Sequence, residues 1–300
     1  MRIAITGATG MIGKRLTAYL SQQGHQLVAI TRRNTFQQEK DSVIVWDPEL
    51  NYLEIAQLEG FDVIIHLAGA NVGEYWTHEY KKKILNSRVG STRLLCESIL
   101  RLSSKPKLLI CASATGYYGN HPPQQVLDEN SPPGEGFLAD VCRQWEEETD
   151  ILLHSGVRVV RMRLGVVLSK AGGALKKMWI PFQLGLGGVL GNGQQMISWI
   201  AIDEIAYCVE HIIKNGQLAG AVNLVSPQPV TNARFTKTLS QLMRRPAVLP
   251  VPGFMIRLLF GEMGQSLLLE GAHVLPSRLG GSGYQFRYVD LGTALKKVIE

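Results

Sequence analysis

Short apolar runs alternate with longer segments of helical periodicity through the first 170 residues. The runs predict strands over 3–5, 26–31, 43–46, 62–67, 107–112 and 158–167. Apolar positions three and four apart predict helices ending near Gln23, over 77–102 and over 138–154. Strand and helix in alternation make βαβ units, so the expected fold is α/β: a Rossmann-type, doubly wound parallel sheet with right-handed crossovers. Beyond residue 170 the pattern changes. The stretch LGLGGVLGNG (184–193) reads as a loop. Strands are expected over 197–202, 221–225 and 248–252, and helices over 202–213, 231–244, 255–260 and 291–299. Residues 1–170 are thus expected to form a nucleotide-binding domain, and 171–300 a small α+β lobe over its edge. The strand at 221–225 is expected to return to the main sheet.

The first strand meets the first helix at TGATGMIG (6–13). Glycine recurs at Gly7, Gly10 and Gly13, in a strand–turn–helix setting where a dinucleotide fingerprint carries weight. Gly7 permits the tight turn, Gly10 lets backbone approach a pyrophosphate, and Gly13 lets the helix pack on the sheet. Thr9, Met11 and Ile12 complete the expected cofactor turn.

Strand two ends in Thr31-Arg32-Arg33, with no carboxylate before Glu39 to hold a ribose 2′-hydroxyl. Guanidinium groups there suit a 2′-phosphate, so NADP(H) is expected in preference to NAD(H). If a single arginine makes that contact, Arg32 is the nearer. The small residues of Leu67-Ala68-Gly69, closing strand four, leave room for the adenosine side of a dinucleotide.

Composition narrows the field. Over 300 residues, 45% apolar and 19% charged positions describe a globular chain with a substantial core. No run of eighteen apolar residues suggests a membrane span, and a strand beginning at residue 3 leaves no room for a signal peptide. No membrane association is therefore expected. The net charge of +6 is spread along the chain and makes no stripe, so no nucleic-acid partner is expected. Cys96, Cys111, Cys142 and Cys208 lack metal spacing and read as buried free thiols of a reducing compartment; the cytoplasm is expected, or an organelle matrix if a leader is trimmed.

The chain resembles the extended, epimerase-like short-chain dehydrogenase/reductases, and more closely their atypical, uncharacterised family 39U. The matching text includes TGATGMIG (6–13), HLAGANV (66–72), NSRVGSTRLL (86–95), SATGYYGN (113–120), the 165–188 segment around Pro181-Phe182, and SWIAIDEIA (198–206). The resemblance implies a Rossmann core, an NADP-type cofactor and a C-terminal substrate lobe. It implies cofactor contacts at the glycine turn, Thr31-Arg32, Leu67-Ala68 and Arg88, with Val166 lining the nicotinamide end. It also makes 77–102 and 138–154 the candidate helices of a homodimer.

Family chemistry uses a Ser or Thr followed by Tyr-x-x-x-Lys on the next helix. Here that helix reads GEGFLADVCRQWE (134–146), with Phe137 or Leu138 at the tyrosine position and Val141 or Cys142 at the lysine position. Ser113 and Thr115 survive upstream, and Tyr117 follows, so these three are the candidate catalytic hydroxyls. His66, inside an apolar strand, reads as a buried hydrogen-bonded histidine. Two functions remain open: an NADP-dependent oxidoreductase or epimerase acting on a nucleotide sugar or similar polar alcohol or carbonyl, or a non-catalytic sensor of NADPH.

Overall fold

Alternation of buried side chains along the first strand sets the layering of the molecule. A computed structural model describes residues 1–32 and 43–299. In β1 (Arg2–Thr6), Ile3 and Ile5 point into one apolar layer and Ala4 into the other. Then follow α1 (Met11–Gln22), β2 (Gln26–Thr31), β3 (Val43–Asp47), β4 (Tyr52–Leu53), β5 (Val63–His66), α2 (His78–Leu100) and β6 (Leu108–Ala114). Next come β7 (Val126–Leu127), α3 (Phe137–Glu147), β8 (Arg158–Leu164), β9 (Val166–Leu168) and α4 (Gly173–Gln183). The remainder comprises β10 (Met196–Ile197), β11 (Trp199–Ala201), α5 (Ile202–Lys214), β12 (Gly220–Leu224), β13 (Val230–Thr231), α6 (Asn232–Met243), α7 (Gly253–Gly264), β14 (His273–Val274), α8 (Ser277–Gly281) and α9 (Leu291–Ile299).

The main sheet has the order β12-β8-β6-β5-β1-β2-β3-β4 and is parallel except for the last pair. Since β1 pairs with β2 on one side and β5 on the other, the winding reverses beside it. In such sheets the ligand crevice opens at the carboxyl ends of these strands. Leu16 and Leu20 of α1 and Val209 and Ile212 of α5 cover one face; Leu94, Leu95 and Ile99 of α2 cover the other. No described helix is long and apolar enough to cross a membrane.

Three sequence expectations change, and one helix was not foreseen. The strand over 158–167 breaks at Gly165: its N–H still bonds Leu224 of the main sheet, but Val166 N–H bonds Ser198 O at 2.8 Å. From there β9 pairs with β11 in a separate ladder. The helix over 138–154 stops at Glu147, where the Thr149 hydroxyl turns back onto the Glu146 carbonyl at 2.8 Å. The strand over 248–252 reduces to a single bridge, Leu190 with Val251. Finally, α4 forms where Gly172, Gly173 and Pro181 disguise a helix in the sequence.

Candidate dinucleotide and active site

The turn after β1 is shaped by contacts that exclude side chains. Gly7 adopts φ +67°, and a Cβ there would stand 3.0 Å from the Leu67 carbonyl carbon. A Cβ on Gly13 would fall 2.2 Å from Gly7 O. The Gly10 N–H bonds Gly7 O at 3.0 Å and sets the start of α1. Gly10 caps that helix without a side chain, and its first turn holds no acidic residue, so the positive end of the helix dipole is retained.

A buried relay ties this turn to β5. The Thr6 hydroxyl oxygen accepts from the N–H groups of Leu67 (3.0 Å) and Ala68 (3.2 Å) and stands 2.7 Å from His66 Nδ1. With both acceptor positions taken, the Thr6 proton goes to Nδ1, so Nε2 carries the ring hydrogen. Nε2–H then faces the Thr92 and Ser91 hydroxyls, at 3.0 and 3.2 Å. Burial pushes the His66 pKa down to about 3, keeping the ring neutral. It is a brace for the Leu67-Ala68-Gly69 backbone, not a base.

Arg88 leans over the end of this strand. Its guanidinium donates to Ala70 O (2.9 Å) and Ile84 O (3.0 Å), beside Gly69 and over the Trp145 ring. Burial lowers its pKa, and none of the ion pairs among the described residues includes it. A partly desolvated cation without a carboxylate favours an incoming anion. Thr31 ends β2, the strand beside β1, and Arg32 follows it; Arg33 lies outside the described residues. Val166 opens β9, paired with Trp199. The carboxyl ends of β1, β2 and β5 therefore gather Gly7, Thr9, Gly10, Met11, Ile12, Gly13, Thr31, Arg32, Leu67, Ala68, Gly69 and Arg88 along one edge.

Sequence reasoning missed α4 as part of this edge. Its Gly172-Gly173 start rests on the Met11 side chain, and Lys177 Nζ donates to Gly73 O in the loop after β5. The helix thus straddles the crevice. The available signal was the glycine pair, which allows close approach to Met11.

The candidate hydroxyls part company. Ser113 is 2% exposed and donates to Glu146 Oε1 at 2.6 Å. The same carboxylate takes two bonds from Arg163, both 2.8 Å, and Arg163 Nη1 donates to Tyr118 OH at 3.0 Å. Burial works to lower the Arg163 pKa, but the bonds and charge of Glu146 outweigh it and raise it overall. Tyr118 in turn donates to Asn223 Oδ1, and burial raises its pKa to about 12. Ser113 is therefore engaged in a closed network. Thr115 and Tyr117, on the short turn after β6, are only half-buried, and Arg163 Cζ stands 3.4 Å above the Tyr117 ring centre. No tyrosine or lysine lies on α3. Its start carries Phe137, Leu138 and Val141 into an apolar cluster with Trp76, Met263 and Leu267.

A doubly wound sheet with a side-chain-free turn at its winding reversal defines a protein of the Rossmann dinucleotide-binding class. The chain belongs to the NAD dependent epimerase/dehydratase family, whose model matches residues 3–224, and residues 251–298 match a domain of unknown function, DUF1731. Within the short-chain dehydrogenase/reductases it falls in the atypical SDR39U subfamily. It is 38% identical to a Mycobacterium bovis epimerase family protein, over 98% of this chain and 96% of that one. The crystal structure of human epimerase family protein SDR39U1 with NADPH superposes with a TM-score of 0.90 at 34% identity, covering 99% of each chain. A Thermus thermophilus UDP-glucose 4-epimerase in complex with NAD has a TM-score of 0.78 at 18% identity, covering 100% of this chain and 98% of that one, and shares the fold.

Proposed function

We propose that this protein binds NADP(H) and serves redox chemistry on a carbonyl or alcohol of a nucleotide sugar or similar polar compound. The observation that carries the binding is the lack of room for any side chain at Gly7 and Gly13, beside a helix start with no acidic residue. NADPH in the human relative supports this choice of cofactor. The turn from Gly7 to Gly13 would hold the diphosphate, with Arg88 as its counter-charge. Thr31 and Arg32 would take the 2′-phosphate, Leu67, Ala68 and Gly69 the adenosine, and Val166 the nicotinamide end. When bound, the cofactor supplies or accepts a hydride.

The proton falls to this chain's own hydroxyls. Ser113 holds its proton on Glu146 and acts by positioning. Tyr117 is the better donor: it is only half-buried, and the Arg163 guanidinium stacked over its ring fixes the ring's position. Thr115, two residues earlier, is the second candidate. The expected test is NADPH consumption across a panel of sugar nucleotides and simple carbonyls, with Tyr117→Phe and Thr115→Val compared to the parent. No turnover with any panel member would exclude the catalytic reading.

A second reading is favoured by the apolar cluster at the start of α3, which offers no proton donor. In it the protein reports the NADPH/NADP+ ratio without chemistry, and its affinity differs between the two redox states. Equal affinities by calorimetry would remove it. All four cysteines are buried and free, which suits the cytoplasm.

A further inference from the structure

Three segments of the C-terminal half meet in one exposed apolar surface. Val251 N–H bonds Val189 O at 2.8 Å, Gly191 N–H bonds Val251 O at 2.9 Å, and Gly185 lies against Pro246. These contacts put the end of α4, the 246–252 segment and the start of α7 side by side. From α4 project Ile180 and Leu184 (68% exposed), one turn apart. Val248 is 75% exposed between them and α7, where Phe254 (66%), Leu258 (80%) and Leu259 project. The other side of α7 is anchored by buried Ile256, ahead of the break in helical geometry at Gly261, so its outward side chains are set by packing. A group of large apolar side chains this exposed marks an interaction surface.

Charge selects the partner. Residues 171–202 and 211–261 contain no aspartate or glutamate. Lys176 of α4, Arg244 and Arg245 just before Pro246, and Arg257 of α7 flank these side chains along the chain, none ion-paired with a described carboxylate. Glu262, at the far end of α7, is neutralised by Lys81 at 2.7 Å. A second copy would bring cations against cations. Side chains two-thirds to four-fifths exposed stand proud of the surface and do not line a groove, which suits a fluid phase better than a folded partner.

We propose that this face docks the protein on an anionic lipid bilayer surface, with Phe254, Leu258 and Leu184 entering the headgroup–acyl boundary and the four cations meeting lipid phosphates. The expectation of no membrane association rested on the want of a spanning segment, and peripheral docking needs none. The proposal is independent of the redox reading.

The test is co-sedimentation of the full chain with phosphatidylcholine vesicles, with and without phosphatidylglycerol. The parent should pellet with the anionic vesicles, release as salt rises, and stay in solution with phosphatidylcholine alone. Phe254→Ser/Leu258→Ser should lower the partition coefficient at least about tenfold. Arg244→Gln/Arg245→Gln should lower it by roughly tenfold for anionic vesicles only. Both variants should keep the parent's NADPH affinity and melting temperature, which separates a failure here from a failure of cofactor binding. Equal sedimentation of parent and variants, or none, overturns the proposal. So does a concentration-dependent dimer dissolved by Leu258→Ser, or binding to polyglutamate without binding to vesicles.

Discussion

Glu146 and Arg163 form a bidentate ion pair, both bonds 2.8 Å, sealed between α3 and β8. Breaking such a pair leaves a buried charge without its counter-charge, and desolvation is then uncompensated. Glu146→Leu should lower unfolding stability by about 3–5 kcal/mol in urea titrations. The double variant Glu146→Leu/Arg163→Met should recover most of that loss. Additive losses would show that the pair is not coupled.

The same carboxylate separates the two roles open to Ser113. Ser113→Ala should lower the melting temperature while leaving NADPH affinity intact, because its hydroxyl serves Glu146. In a catalytically competent protein Tyr117→Phe should cut kcat by about a hundredfold with little change in stability, the usual scale for a lost proton donor. The opposite ranking of the two variants would return the relay to Ser113.

At the turn, Gly13→Ala would place a methyl 2.2 Å from Gly7 O. Either the turn or the helix must shift, and the diphosphate cradle goes with it. Calorimetric titration with NADPH should detect no binding to this variant. Gly216→Ala, at a position with open space around it and no left-handed φ, serves as the control for backbone effects elsewhere in the chain.

Arg88 should matter for charge more than for packing. Arg88→Met keeps most of the apolar stem and removes the cation. NADPH affinity should fall about tenfold or more, as expected for a lost charge-assisted contact. The residual affinity should also depend less on salt than the parent's. An unchanged affinity would leave the guanidinium a structural clamp on Ala70 and Ile84.

His66 imposes an acid limit on the fold. Its pKa is about 3 in the folded chain, depressed by burial from the ordinary 6.5. Below 6.5 the unfolded chain takes up a proton that the folded chain refuses, so stability falls as pH drops from 6.5 toward 3. This group contributes a slope of up to about 1.4 kcal/mol per pH unit. His66→Asn should flatten the stability–pH curve between pH 6 and 4 relative to the parent.

What the sequence determined by itself was local. Glycine at 7, 10 and 13 between an apolar strand and a helix is a short-range pattern, and strand–helix alternation needs only the side-chain periods to be read. The absence of tyrosine and lysine on the α3 segment was equally plain in the text. Tertiary structure decided the rest, because a hydroxyl's chemistry depends on which partner reaches it. Ser113 is withdrawn by Glu146 and Arg163, 33 and 50 positions away, and Tyr117 gains a cation from the same arginine. Likewise the break at Gly165 comes from a backbone bond to Ser198, and α4 joins the crevice through Met11 and Gly73. Periodicity cannot encode such pairings: they are set by which elements the folded sheet brings within hydrogen-bonding distance.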